Sequence, residues 1–135
     1  MKTPVMVARM LVRVCGVILI VLGLLFWFGD APRGLVPIHI LLGIVLVLAL
    51  WALAFLGARA GISRGLVAAA VVWGLLTIWL GQAQDALLPD PSVHWIVQVL
   101  HLIVGMGAIG LGEAIGGRVA RAEPQPATQA PSTGL

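Results

Sequence analysis

The chain has 135 residues, 61% of them hydrophobic and 10% charged, an apolar share well above the roughly 45–50% of soluble domains. Its net charge of +3 comes from basic residues scattered in ones and twos, with no basic cluster to attract nucleic acid. One cysteine, Cys15, excludes an intrachain disulfide. No zinc-ligand spacing, phosphate loop or nucleophile–base pair supports hydrolytic chemistry.

Four apolar blocks follow one another, Met10–Phe28, Leu35–Ala58, Leu66–Leu80 and Val93–Gly112. With its flanks, each reaches the roughly 17–25 residues that cross a hydrocarbon core. In lipid the backbone must pair its own N–H and C=O groups, and runs this long are helices, not barrel strands. The expected fold class is an all-α membrane protein, a four-transmembrane-helix up-down bundle within residues 1–121. The sequence predicts helices over about 8–28, 35–58, 65–83 and 91–116.

Helix 1 is preceded by Lys2, Arg9 and Arg13 and followed by Gly29-Asp30-Ala31-Pro32, a poor cleavage site, so it is expected to be retained. Pro32 and Gly34 make the first loop a tight turn. Helix 2 carries His39 and Gly43, and Arg59 and Arg64 fill the loop after it. Helix 3 is the shortest and ends near Gln82, Gln84 and Asp85. Asp90 and Pro91 suit the N-cap and first position of helix 4, which carries His94, His101, Gly105 and Glu113. Arg118 and Arg121 come next, and the Pro-, Ala- and Thr-rich tail 122–135 is expected to be disordered.

Only Arg33 among the basic residues falls in the first or third loop; the others lie on the opposite side with both termini. The positive-inside rule makes that side cytoplasmic, as in a multi-pass protein of a bacterial-type inner membrane. Trp27, Trp79 and Trp95 fall at the outer helix ends and read as an aromatic belt, while Trp51 and Trp73 lie deeper and read as packing.

A weak internal repeat sets Gly23, Trp27 and Gly29 of helix 1 beside Gly74, Trp79 and Gly81 of helix 3. In the same repeat His39 and Gly43 of helix 2 match His101 and Gly105 of helix 4. All three histidines thus sit on two parallel helices, towards the outer face. The plain reading is hydrogen bonding between helices or reach to the interface. The sharper reading is axial ligation of one haem b, with His39 and His101 as the metal ligands. A glycine four residues after each candidate lies on the same helix face and leaves room for a ring edge. His39 lies about two residues into helix 2 and His101 about ten beyond Pro91, so they are level only if helix 4 starts higher or tilts. Otherwise His39 and His94 form the level pair. The plain reading of Arg33 is an interfacial anchor; the sharper one is a partner for a haem propionate.

This arrangement resembles the small membrane b-type cytochromes of the cytochrome b561 kind, on architecture from Val12 to Gly117 and on His39, Gly43, His101 and Gly105. The resemblance implies electron transfer between a quinol or a redox protein and an acceptor. Members of that group often carry two haems, whereas three histidines here allow one. Two other functions stay open. Ala108, Gly112 and Gly116 at four-residue spacing suit helix packing in a homodimer or a larger membrane complex, as in an accessory or assembly subunit. Glu113, the one acid within a predicted span, suits a small proton-coupled transporter, or an ion pair with Arg9, Arg13 or Arg59.

Overall fold

The computed structural model describes residues 2–29 and 32–122, with the side chains of Lys2 and Arg33 outside that description. Four helices make up the fold: α1 (Lys2–Phe28), α2 (Val36–Arg59), α3 (Arg64–Ala83) and α4 (Trp95–Ala122). All four are long and apolar enough to cross a membrane, and no charged side chain among the described residues is buried. The chain is a multi-pass membrane bundle.

Helix ends differ from the expected ones where local chemistry intervenes. α1 begins at Lys2 instead of near 8, because Pro4 falls in the first turn, where a missing N–H costs no helical hydrogen bond, nothing in Val5–Arg9 breaks a helix, and these first turns need not lie in lipid. α4 begins at Trp95, not Pro91. Residues 91–94 form a separate turn. Asp90 accepts hydrogen bonds from the Ser92 N–H at 2.9 Å and the Ser92 hydroxyl at 2.8 Å, which hold its carboxyl below the ordinary aspartate value. At the other end α4 continues past 116 to Ala122, so the expected tail loses its first residue to the helix; 123–135 lie outside the described residues.

The second loop is brief because α2 ends in a Schellman motif. Gly61 takes a left-handed φ of 78°, the Ile62 N–H reaches the Gly57 carbonyl at 2.9 Å and the Gly61 N–H reaches Ala58 at 3.2 Å. α3 starts directly after Ser63.

α2 and α4 form the central diagonal, each packed on all three other helices. Their inward stripes run 46, 50, 53, 57 and 104, 108, 112, 115, 119, the alternating three- and four-residue step of a helix seam. Extending the first stripe backward gives Gly43 and His39; extending the second gives His101 and Val97. The histidines therefore stand on the packed seam, not on the lipid face.

Core packing is uneven along the bundle. α1 buries Val5, Ala8, Val12, Cys15 and Gly16 but nothing beyond, and α2 buries nothing before Leu46. α3 and α4 stay closed at that end through Leu80, Val97 and Val104. One end of the bundle is thus solid and the other, where the histidines lie, is hollow.

Two indoles set the rotation of the helices. Trp51 of α2 lies on Gly74 of α3 and donates to the Val71 carbonyl at 3.3 Å; Trp73 of α3 lies on Gly107 of α4 and donates to the Val104 carbonyl at 2.8 Å. In each case the ring covers a glycine and bonds the carbonyl three residues earlier. A Cβ at Gly107 would stand 2.5 Å from Trp73 Nε1, so only glycine admits this approach.

Candidate functional site

The hollow end contains a cavity of about 630 Å³ lined by all four helices, a size typical of cofactor pockets. His39 and His101 face each other inside it, with ring centroids 6.3 Å apart and planes tilted by 47°. The depth mismatch anticipated from Pro91 is relieved by the later start of α4, which places His101 six residues into its helix and His39 three into its own. The remaining difference of about 4.5 Å at 1.5 Å per residue is small enough for helix tilt to absorb.

Each imidazole is held by the helix before it. The Cε1 of His39 lies 3.9 Å from the Cβ position of Gly23, and that of His101 lies 3.2 Å from the Cβ position of Gly81. Phe26 meets His39 edge-on at 5.6 Å. The two hairpins are alike in setting a glycine against each histidine, but the glycines do not match as the repeat aligned them: Gly23 corresponds in role to Gly81, while Gly74 serves Trp51.

Gly43 and Gly105 also line the cavity, and a Cβ on either would meet nothing within 4 Å. Their missing side chains are open space and not helix contacts. No hydrogen bond reaches either histidine ring among the described residues, and Nδ1 of both is buried without a partner. Leaving buried polar atoms unpaired is costly, and such atoms mark places where a further group belongs.

These features fit a haem. Two imidazoles that share one metal at about 2 Å per bond, each with its centroid roughly 1.1 Å behind the ligating nitrogen, stand about 6 Å apart. Two histidines are too few for a zinc or copper site, and no group of three His, Cys, Asp or Glu occurs among the described residues. They suit a metal whose remaining positions a macrocycle fills. Leu19, Ile44, Met106 and Ile109 supply apolar walls, and Gln82, Gln84 and Gln98 supply amides at the rim.

The other expected residues go elsewhere. His94 lies outside the cavity with Nδ1 3.2 Å from the Leu88 carbonyl; a carbonyl only accepts, so Nδ1 carries the proton. Leu88 has a left-handed φ of 47°, and His94 closes that turn. Arg33 lies in a short 3-10 turn, Arg33–Leu35, and its side chain is outside the described residues. Glu113 accepts from Arg9 and Arg13 at 2.7–2.9 Å, while Arg59 stacks on Phe55. Ala108, Gly112 and Gly116 pack inside the chain, Gly112 beneath Val12 and Gly116 beneath Arg9.

Sequence reading placed Gly23 and Gly81 in the repeat but missed that each lies against a histidine ring, and it missed the two indole-on-glycine contacts. The seam spacing from His39 through Gly43 to Leu46 and Leu50 was available in the sequence and would have placed that histidine inward. No protein-family model, no curated protein and no solved structure matches the chain.

Proposed function

We propose that this chain is a small membrane b-type cytochrome that holds one haem b between α2 and α4. The reading rests on one observation: two imidazoles on the central diagonal face each other at 6.3 Å across a cavity. His39 and His101 would be the axial ligands, and the haem would supply one-electron redox chemistry. Gly23 and Gly81 set the position of each ring. Gly43 and Gly105 leave the cavity wide, and the apolar walls exclude water and tune the potential through a low dielectric.

The amides of Gln82, Gln84 and Gln98 can donate to propionates at the rim. Asp85 is the one charged residue among the described cavity lining. On the positive-inside rule this end faces the outside of a bacterial-type inner membrane, and both termini face the cytoplasm. One haem near one face serves exchange with a quinol or a redox protein on that side. It does not carry electrons across the bilayer alone.

Two observations favour the cytochrome reading over the accessory-subunit and transporter readings: Gly112 and Gly116 pack against Val12 and Arg9 of the same chain, and Glu113 is paired with two guanidiniums and does not line the cavity.

The test is the absorption spectrum of the chain purified from haem-replete cells. A Soret band and a reduced α-band are expected, and both disappear in His39→Ala and in His101→Ala. A colourless wild-type protein would end this reading.

A further inference from the structure

The histidine cavity reaches the lipid-facing surface of the bundle. Met106 stands two residues from both Val104 and Ala108, which puts it on the flank of α4 away from the buried seam; it is 56% exposed and still lines the cavity. α1 and α4 run antiparallel, with Val12 against Gly112 and Gly16 against Ile109. The same register sets Ile20 level with Met106 and Leu24 level with Leu102. All four are apolar and line the cavity, so they border a cleft between α1 and α4 in the half of the bundle that holds the histidines. A second cleft lies between α2 and α3, where Val47 meets Gly74: Ile40 stands two turns beyond Val47 toward the rim, Ile78 one turn beyond Gly74, and both line the cavity.

The two clefts differ in the helix that borders them. α3 is clamped along its length: Trp51 lies on Gly74, Trp73 lies on Gly107 and bonds the Val104 carbonyl, and Leu80 is buried beside Val97. α1 is not. Its polar ties to α4, from Arg9 and Arg13 to Glu113, lie at the solid end, and Gly16 is its last buried residue. From Val17 to Phe28, about 18 Å of helix, no residue is buried, and Gly23 and Phe26 rest on the His39 ring. A stretch with so few buried contacts opens at a lower free energy than the packed remainder.

Haem is a flat apolar ring with two carboxylates on one edge. In a bilayer the ring belongs among the acyl chains and the carboxylates at the headgroups. The cavity is arranged the same way, with apolar walls and the amides of Gln84 and Gln98 at the rim. A sideways step between α1 and α4 keeps ring and carboxylates each in the surroundings they prefer, whereas entry from the rim drags the ring through water and past the amides. We propose that the cavity is loaded sideways from the bilayer, through the cleft between α1 and α4, with α1 beyond Gly16 as the wall that gives way. The inference rests on the cytochrome reading and adds the route to it.

The test uses the haem-free full chain in liposomes, with Cys15→Ala so that only introduced thiols react. Leu24→Cys and Leu102→Cys are joined by a short bis-methanethiosulfonate linker, which dithiothreitol releases and which is washed out before haemin is added. Linked, this variant should lose uptake of haemin, read as growth of the Soret band; released, it should regain it. Linking after loading should leave the band unaltered, which separates a shut route from a damaged site. Linking Ile40→Cys to Ile78→Cys across α2 and α3 should not slow uptake. Amide hydrogen exchange in the haem-free chain should be faster over 17–28 than over 70–83, a readout independent of haem. Uptake by the linked α1–α4 variant at its released rate, an equal block by the α2–α3 linker, or exchange no faster in α1 than in α3 would each overturn the route and leave the cytochrome reading standing. A chain that takes up no haemin in any state and is colourless from haem-replete cells would end both.

Discussion

Trp73 donates its indole N–H to the Val104 carbonyl at 2.8 Å, three residues beyond His101 on the same helix. The bond ties the rotation of α4 to α3, and the rotation of α4 decides whether His101 points at His39 or at lipid. Trp73→Phe keeps most of the ring but removes the donor. It should lower stability in detergent by about 1 kcal/mol, the scale of one interhelical hydrogen bond. Haem retained per protein should fall with it. Unchanged pigment content alongside an unchanged melting temperature would show that the indole does not position the site.

Glycines of two kinds make a paired experiment. At Gly43 and Gly105 a Cβ meets open space, whereas at Gly107 it stands 2.5–2.7 Å from the Trp73 ring. Gly105→Val and Gly43→Val should therefore leave the haem-free protein as stable as wild type while abolishing pigment. Gly107→Ala should do the reverse first, destabilising the fold by about 1–3 kcal/mol through overpacking. The check is a melting temperature measured beside a pyridine haemochrome assay. Full pigment in both valine variants would mean that the space beside the histidines is not used.

His94 is the control for the two seam histidines. Its ring closes the turn at Leu88 and does not line the cavity. His94→Ala should retain the Soret and α-bands at their wild-type positions, at a stability cost of about 1 kcal/mol for the lost hydrogen bond. A spectral change as large as that in His101→Ala would make His94 a ligand instead.

Leu88 supplies a further check on that turn. Its left-handed backbone is unfavourable for a branched residue and natural for glycine. Leu88→Gly should keep or slightly raise thermal stability, by up to about 1 kcal/mol, with the spectrum unaltered. A marked destabilisation would show that the Leu88 side chain, not its backbone, is what the loop needs.

Much of this architecture was already present in the order of the residues. Four spans follow from composition, because backbone in lipid must satisfy itself and only long apolar helices do so at these lengths. The Glu113 ion pair was one of the two roles foreseen, since an acid near the end of a span needs a cation and Arg9, Arg13 and Arg59 were all at its depth; only the structure chose the first two. Trp51 and Trp73 were correctly read as packing residues. Their carbonyl acceptors were not, because nothing in a tryptophan's neighbours along the chain names the glycine on another helix that will lie beneath it.

The residue order by itself determined the number and approximate extent of the spans and the placement of His39 on α2 and His101 on α4, since these depend on periodicity and transfer energy along one chain. Only the tertiary structure decided which two histidines meet, because that depends on where α4 starts and how two indoles rotate the helices against one another. It also separated glycines that leave a cavity from glycines that fill a contact. The same missing side chain has opposite consequences according to what stands across from it, and that is a property of neighbouring helices, not of sequence position.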